Sequence, residues 1–383
     1  MKIAEIAPLS YKAGEMEYFQ FIRGGVGADY HQGPSFYLFA DGMVRVIWTA
    51  YDFDECSPNR ISLYSDSLDG GITWTSPQVY LADFSAPSHP SSILLLHDHR
   101  TALMVGNIAR HVIAVDPKKR VCSAGSNYFK TRTHIFIRHS FDGGYSFDLP
   151  KEIPYQTITG GKKLPECDFY GGVGSAIQLQ SGRIVVGLYF LDPAISDGSE
   201  GWKGQHYTGV CLLSDDKGKS WKKSSEITVD TERGVMEPQI VEVAPDRLFS
   251  LFRTRGGFLY QTRSDDGGVT WSKSEPSLLP APESLARMIK LQSGRVLVVW
   301  NNVSSTTQKP RYPLVAAVSH NCGESWSEAK IIAQETGTNQ LSNHGIVQLE
   351  DGKILLGISH YRHVRPMTSD LDMAIFDEEW LLK

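Results

Sequence analysis

The sequence predicts an all-β protein, a six-bladed β-propeller of four-stranded antiparallel blades that uses residues 1–383 as a single domain. Three observations predict this fold. A short turn motif recurs five times, six apolar strand–turn–strand segments alternate with it, and almost no stretch has helical periodicity. Because a four-stranded sheet cannot bury both of its faces alone, such sheets are expected to pack radially around a central axis.

The recurring turn motif is S-x-D-x-G-x-[ST]-[W/F], which we call the Asp-box. An aspartate can accept hydrogen bonds from N–H groups of its own loop, and the glycine supplies a positive φ. The final aromatic ring can pack the turn against a neighbouring strand. The copies are Ser67–Trp74, Ser140–Phe147, Ser214–Trp221, Ser264–Trp271 and Ser319–Trp326, the last with Asn321 in place of the aspartate. We expect each box to close the outer strand pair of one blade.

The segments between the boxes are predicted to be β-hairpins, because each has apolar runs on both sides of a short turn. They are residues 35–48, 91–106, 175–189, 239–252, 288–300 and 345–359. Two of the turns, Asp98-His99 and Pro245-Asp246, lack glycine. The last blade has no box, and we expect its outer strands to be residues 371–382 and the N-terminal KIAEIA. Pairing of the two chain ends would close the ring and hide the sheet edges.

Composition and charge exclude several classes of function. A net charge of −5 gives no electrostatic footprint for nucleic acid and no basic surface for an anionic membrane. The N-terminus has no recognisable secretory signal, and the five cysteines are scattered without a CxxC pair. We therefore expect a cytoplasmic protein with no cofactor and no metal site. The His/Asp-rich stretch 97–100 is interpreted as a hairpin tip. The oligomeric state is left open.

From about residue 30 to residue 362 the chain resembles the sialidase superfamily, the propellers that carry Asp-boxes. The stretch YGGVGSAIQLQSGRIVV (170–186) resembles the glycine-rich hairpin of sialidases, and MEPQIVEV (236–243) resembles their NEP-v-El segment. The resemblance implies a carbohydrate-active protein with an oligosaccharide or polysaccharide-derived substrate. Because the Asp-box is a structural motif, activity must be argued from the site.

The resemblance to sialidases implies three carboxylate-binding arginines, a tyrosine nucleophile assisted by a glutamate, and an aspartate acid/base. Glu237 matches the glutamate and Arg311 matches one arginine. The stretch 32–34 (QGP) stands where the first arginine is expected, Leu259 where the second is expected, and Leu341 where the tyrosine is expected. No clear counterpart of the aspartate precedes the first box. The resemblance therefore implies a site that has departed from ordinary sialidase chemistry.

The residues just before each inner strand are the site candidates, because these positions face the central funnel of a propeller. The candidate catalytic residues are Glu237, His89, Tyr170 and Asp168, and the candidate substrate-binding residues are His31, Gln32, Arg253, Arg287, Arg311, Asn343 and His344. Polar and aromatic groups recur at six equivalent positions, which favours a functional funnel.

Two enzyme chemistries fit these residues. Glycoside hydrolysis needs two carboxylates beside the scissile bond, and Glu237 with Asp168 or Glu166 could supply them. β-Elimination at a uronate needs a base, an acid and a cation that neutralises the sugar carboxylate. Its acid and base could come from His89, Tyr170, His31 or His344, and its cation from Arg253 or Arg311.

The superfamily favours an exo-acting glycoside hydrolase on acidic or neutral oligosaccharides, with a uronate lyase as the alternative. A third hypothesis is a non-catalytic glycan-binding propeller. In that case Trp202 and Tyr207, which lie on a long polar segment, could stack against sugars without any chemistry.

Overall fold

The computed structural model describes residues 11–25, 27–52, 60–81, 88–113, 129–162, 171–192, 205–362 and 368–383. In chain order the strands are β1 Glu17–Ile22, β2 Tyr30–Leu38, β3 Val44–Tyr51, β4 Arg60–Ser67, β5 Gln78–Leu81, β6 Ser88–Leu95, β7 Ala102–Ile113, β8 Phe129–Ser140, β9 Lys151–Glu152, β10 Gly171–Gln178, β11 Ile184–Leu191, β12 Tyr207–Ser214, β13 Lys222–Lys223, β14 Met236–Ala244, β15 Arg247–Arg253, β16 Phe258–Ser264, β17 Glu275–Pro280, β18 Arg287–Lys290, β19 Val296–Asn301, β20 Leu314–Ser319, β21 Lys330–Ala333, β22 Gln340–Gln348, β23 Ile354–Arg362 and β24 Thr368–Phe376. Two short helices are α1 Tyr155–Thr159 and α2 Glu378–Leu382. No helix in the described ranges is long and apolar enough to cross a membrane.

The described strands form four-stranded antiparallel units. Four of these are separate sheets, β6–β9, β10–β13, β14–β17 and β18–β21. The other strands form one eight-stranded sheet, in which β2–β5 and β22–β24 with β1 are two further units. A single parallel bridge between Tyr30 and Ser369 joins these two units. The predicted β-propeller of four-stranded antiparallel blades is therefore confirmed. We number the blades one to six from β2–β5 to the unit that contains β1 and β22–β24.

The first and last described strands pair in blade six, where β1 runs antiparallel to β24 and Glu17 lies opposite Ile375. The expected N-terminal strand KIAEIA lies outside the described residues. The prediction of one strand over 371–382 is wrong in its second half, because β24 ends at Phe376 and α2 follows. Asp377 accepts a hydrogen bond from the Trp380 N–H and so caps this helix.

The predicted hairpins are the inner strand pairs of the blades, from β2–β3 to β22–β23. Their turns need a left-handed residue, which glycine supplies in four of them. The two turns without glycine use His99, at φ 53°, and Asp246, at φ 55°. Asp98 stabilises the first of these turns by accepting hydrogen bonds from the N–H groups of Arg100 and Thr101.

The Asp-boxes follow the third strand of blades one to five and have the expected geometry. In the fourth box the Ser264 hydroxyl donates to Asp266 at 2.8 Å, and Asp266 accepts from the Thr270 N–H at 2.9 Å. Asn321 keeps this geometry in the fifth box by accepting from the Ser325 N–H at 2.9 Å. The boxes lie beside the inner hairpin turns, on what we call the turn face. The opposite side, where the inner strands begin, is the funnel face.

The inner strands pack so closely around the axis that no side chain fits between some of them. A Cβ atom on Gly174 would lie 2.1 Å from the Pro238 carbonyl oxygen, and one on Gly345 would lie 2.0 Å from that of Pro34. Both prolines sit in bulges of their inner strands, where the pairing register shifts. The apolar core lies between adjacent blades, as between Leu103, Val186 and Leu212. This packing fixes the strand ends that form the funnel.

Candidate functional site

Among the described residues, the funnel face has two non-glycine residues with a strained backbone, Glu237 at φ 52° and Asn343 at φ 43°. Both occupy bulges of inner strands, and the corresponding residue of blade one is Gly33, at φ 65°. A left-handed conformation costs a non-glycine residue about 1 kcal/mol or more. The other described non-glycine residues with positive φ lie in turns of the turn face. Strain at Glu237 and Asn343 therefore marks the funnel as a place where side chains have a role.

Glu237 forms an ion pair with Arg253, whose Nη1 lies 3.3 Å from the Glu237 carboxylate. The pair follows from the hairpin register, because Met236 of β14 lies directly opposite Arg253 of β15. The Glu237 side chain is 20% exposed and the Arg253 side chain 10% exposed. The carboxylate therefore remains accessible from the funnel, while the guanidinium below it is nearly enclosed.

Glu283 is the buried centre of a group that we call the arginine cluster, formed with Arg233, Arg253 and Arg255. The fully buried Glu283 carboxylate pairs with Arg233, with Arg253 at 3.4 Å and with Arg255 at 2.5 Å. Burial alone would raise the pKa of Glu283, but the three guanidinium charges lower it below its ordinary value. Glu283 therefore holds three cations in place and links to Glu237 through Arg253.

Arg287 ties the inner strands together across the axis. Its Nε donates to the His344 carbonyl at 2.8 Å, and its Nη1 donates to the Gly174 carbonyl at 2.9 Å. A longer contact of 3.4 Å joins Nη1 to Gln239. Arg287 lines the end of an axial channel of about 390 Å³, to which inner strands of all six blades contribute. It therefore joins blade five to blades three, four and six.

The two described histidines among the candidates are buried and uncharged. Burial lowers the pKa of His31 to about 4 and that of His344 to about 3. The Trp48 indole donates to His31 Nδ1 at 3.1 Å, and His344 Nε2 lies 2.9 Å from the Val299 carbonyl. Because a carbonyl only accepts, His344 Nε2 must carry the proton. Neither ring faces the funnel as an open base, and Gln32 is likewise buried.

Asn343 and Arg311 bind neighbouring protein groups. Asn343 Nδ2 donates to the Tyr361 hydroxyl at 2.5 Å, and the Tyr361 ring packs on Tyr30 with centroids 5.2 Å apart. Arg311 donates to the Ser342 hydroxyl at 2.8 Å, and also to the carbonyls of Glu283 and Gln308. The proposed substrate contacts of Asn343 and Arg311 stay predictions.

The remaining catalytic candidates lie outside the described part of the site. Only the backbone of His89 is described, as a residue of β6, and Asp168, Tyr170 and Glu166 fall outside the described residues. Of the proposed sugar-stacking pair, Trp202 also falls outside, while Tyr207 is fully buried beneath the Arg233 guanidinium. Tyr207 is therefore a packing residue, and its prediction as a stacking surface is wrong.

Sequence reasoning missed Glu283, Arg233, Arg255 and Tyr189. Burial and the charge of Glu237 raise the pKa of Tyr189 well above its ordinary value, so Tyr189 is a neutral phenol close to that carboxylate. The sequence does contain one signal for Glu283. Glu283 lies four residues before the inner strand β18, and the other candidates also lie just before inner strands. Nothing in the local sequence marks Arg233, which meets Glu283 from 50 residues away.

His360, Asp370 and Asp372 of blade six place potential metal-ligand atoms within 4.8 Å of one another. Both ring nitrogens of His360 already contact carboxylates, Asp372 at 2.7 Å and Glu335 at 2.5 Å. Burial would lower the pKa of His360, but Asp372 and Glu335 raise it above its ordinary value. The geometry is therefore that of an imidazolium held between two carboxylates, and we assign no cation to it.

Comparison with known proteins agrees with the propeller architecture. Residues 120–356 match the model of a family described as BNR repeat-like domain. No curated protein resembles the chain closely enough in sequence to count as a match.

Several solved structures are similar to the chain. The K499G mutant of NanB sialidase from Streptococcus pneumoniae aligns with a TM-score of 0.68 at 16% identity, over 94% of this chain and 70% of that one. A protein of unknown function from Dyadobacter fermentans aligns with a TM-score of 0.72 at 20% identity, over 94% of this chain and 99% of that one. Trypanosoma rangeli sialidase in complex with sialic acid aligns with a TM-score of 0.66 at 13% identity, over 95% of this chain and 59% of that one. At these identities the likeness establishes the fold.

Proposed function

The chain belongs to the family of BNR repeat-like domains, and we propose that it is a glycoside hydrolase that removes an acidic sugar from the end of an oligosaccharide. The observation that carries this proposal is Glu237, a carboxylate held in a strained conformation at the funnel beside Arg253. Strain of this kind is retained where a side chain has a task that glycine could not perform. Glycoside hydrolysis is a reaction that uses such a carboxylate.

The charge of the funnel supports an acidic rather than a neutral sugar. The arginine cluster and Arg287 place four guanidinium groups near three carboxylates, those of Glu237, Glu283 and Glu232, the last paired with Arg255 at 2.7 Å. Guanidinium groups recognise carboxylates through paired hydrogen bonds. The excess of positive charge would attract a sugar carboxylate and orient its glycosidic bond toward Glu237. Sialosides are expected to be poor substrates, because Leu259 and Leu341, which stand where the resemblance implies an arginine and the tyrosine, lie in the apolar core.

The second catalytic group in this proposal is Asp168 or Glu166. Both precede β10, the inner strand of blade three, and Gly174 of that strand touches the backbone of Glu237 and Pro238. One carboxyl group would protonate the leaving oxygen while the other acts on the anomeric carbon or on a water molecule. Tyr189 is a further candidate beside Glu237, since its pKa responds to that carboxylate.

β-Elimination at a uronate remains the alternative, favoured by a phenol, Tyr189, and a guanidinium, Arg253, near Glu237. A tyrosine can serve as acid or base, and a guanidinium can neutralise the uronate carboxylate. Because His31 and His344 are buried, this alternative rests on His89, Tyr170 and Tyr189. Its product is an unsaturated uronate, which absorbs in the far ultraviolet, whereas hydrolysis produces none.

The test compares acidic and neutral oligosaccharides, with release of the terminal sugar measured by chromatography and unsaturated product measured by absorbance. We expect release of an acidic sugar without an absorbance change. Glu237→Gln should reduce kcat at least about 100-fold, the usual contribution of a general acid or base. Glu275→Gln, an exposed change on the outermost strand of the same blade, is the matched control and should keep full activity.

Three outcomes contradict the proposal. Unsaturated product would establish elimination. Binding of the acidic oligosaccharide without any turnover would establish a glycan-binding propeller. Undiminished turnover by Glu237→Gln would remove Glu237 from the chemistry.

A further inference from the structure

A second cavity lies on the turn face, far along the strands from the funnel. Its volume is about 630 Å³, and it lies between the second and third Asp-boxes, with β9 and α1 along its side. We call it the rim groove. It is lined among others by Phe141, Trp221, Lys151, Lys217 and Lys219. None of these residues takes part in the site around Glu237.

The third box departs from the other boxes in the residues that it directs into this groove. Lys217 stands where three other boxes have glycine, and it keeps the left-handed backbone of that position at φ 59°. A glycine would adopt this conformation without strain. Lys219, two residues further on, is a second cation that no other box has at that position. The box geometry itself needs neither lysine.

Two aromatic rings of the rim groove contact neighbouring protein groups. Phe141 is 62% exposed, and its ring stacks on His139 with an angle of 9° between the planes. The half-buried Trp221 is fixed by its indole N–H, which donates to the Gly218 carbonyl at 3.1 Å. His139 Nε2 contacts the Lys217 carbonyl at 3.2 Å, which connects the two boxes. Preordered rings lose little conformational entropy when a ligand stacks on them.

Lysines outnumber carboxylates among the residues that line the rim groove. Three lysines and one glutamate, Glu152, line it, whereas the chain has a net charge of −5. The Lys151 and Lys217 side chains are 71% and 57% exposed, and they pair with Asp148 and Asp98. Exposed pairs of this kind are weak, so these lysines can turn toward an anion. Lys219 forms no ion pair within the described part of the chain.

We propose that the rim groove is a second, non-catalytic binding site for an acidic oligosaccharide. The apolar face of a sugar ring would stack on Phe141 and Trp221, and a carboxylate or sulfate would contact Lys217 and Lys219. This assignment rests on the chemistry of the groove alone and does not depend on the hydrolytic activity proposed for the funnel. A bound chain would keep the protein on a polymeric acidic glycan while the opposite face remains free.

The test measures protection of individual lysines from acetylation by peptide mass spectrometry, using the full chain and tetragalacturonate as the probe. Lys217 and Lys219 should react at least about threefold more slowly with the probe, whereas the exposed Lys273 beside the fourth box should not change. Cellotetraose should protect neither. A κ-carrageenan tetrasaccharide, which has sulfates but no carboxylate, would assign the site to anionic sugars in general if it also protects, and protection by tetragalacturonate alone would assign it to carboxylates.

Variants take their residues from the other boxes, so that each is compatible with the fold. Phe141→Leu, Lys217→Gly and Lys219→Glu together should weaken calorimetric binding of tetragalacturonate by about tenfold, or 1.4 kcal/mol, while Lys273→Glu should not. Hydrolysis of a short substrate in the funnel should be unchanged in the triple variant. Unchanged binding in the triple variant or equal protection by cellotetraose would overturn the proposal.

Discussion

Replacing Glu283 by glutamine removes the carboxylate around which the arginine cluster is arranged, with almost no change of shape. The wild-type carboxylate is fully buried and accepts from three guanidinium groups. Loss of one partner from a buried ion pair costs about 3–5 kcal/mol, because the remaining charges stay desolvated. Since a domain has about 5–15 kcal/mol of stability in total, we expect a folded but clearly weakened variant.

The pH dependence of this loss has a defined sign. The folded-state pKa of Glu283 is lowered below its ordinary value of 4.5, so its stabilisation is complete above that pH. Stabilisation is lost as the pH falls through the folded-state pKa. The free-energy difference between wild type and Glu283→Gln should therefore be largest near neutral pH and should narrow as the pH falls below 4.5.

Urea unfolding, followed by tryptophan fluorescence from pH 7 to pH 3.5, measures this difference. Glu283→Asp, which keeps the charge, should lie between wild type and Glu283→Gln, and the exposed Glu275→Gln should match wild type. The activity of Glu283→Gln should also fall, because Arg253 loses one of the two carboxylates that position it beside Glu237. A loss below about 1 kcal/mol at pH 7, or a loss independent of pH, would refute this account of the arginine cluster.

Three further changes test other parts of the structure. Arg287→Met should lower the free energy of unfolding by about 3 kcal/mol, because two axial carbonyls lose their donor. Arg287→Lys should recover less than half of this loss. A lysine variant as stable as wild type would contradict this expectation. His360 has a raised pKa, so its ion pairs stabilise the fold below its ordinary value of 6.5 and are lost as the pH rises through the folded-state pKa. Melting temperatures should therefore show wild type losing its advantage over His360→Gln as the pH rises above 6.5, and a constant difference would argue against the charged ring. In the fourth box, Asp266→Ala should lower the free energy of unfolding in urea by about 1–2 kcal/mol. Asp266→Asn should lower it by less than about 1 kcal/mol, because Asn321 fills the same position in the fifth box. Equal losses would show that the accepted hydrogen bonds do not matter.

The fold was predictable from sequence because its signals are local. Each hydrogen bond within an Asp-box joins residues at most four positions apart, so the motif and its geometry appear together in the sequence. The inner hairpins are equally local, and even His99 and Asp246 keep the backbone that the turn requires. The expected strand over 371–382 was wrong because a helix cap at Asp377 outweighed the apolar pattern.

The candidate site was only partly predictable, because its organisation depends on contacts between distant parts of the chain. Glu237 and Arg253 were found since they lie at strand ends of one hairpin. Glu283 was missed because its three partners come from the entrance to blade four and the end of β15, 28 to 50 residues away. His31 and His344 occupy the predicted positions, yet packing between blades encloses their rings.

Equivalent positions in the repeated blades show where a non-glycine residue occupies a backbone conformation that favours glycine. The bulge of blade one has Gly33, which meets the left-handed conformation without strain. The same place has Glu237 in blade four and Asn343 in blade six, and the third Asp-box likewise has Lys217 where three other boxes have glycine. Each of these residues gives up some stability that glycine would have kept. Since the fold needs only the backbone there, the carboxylate, the amide and the ammonium group are retained for what they contact, and two separate faces of the propeller carry them.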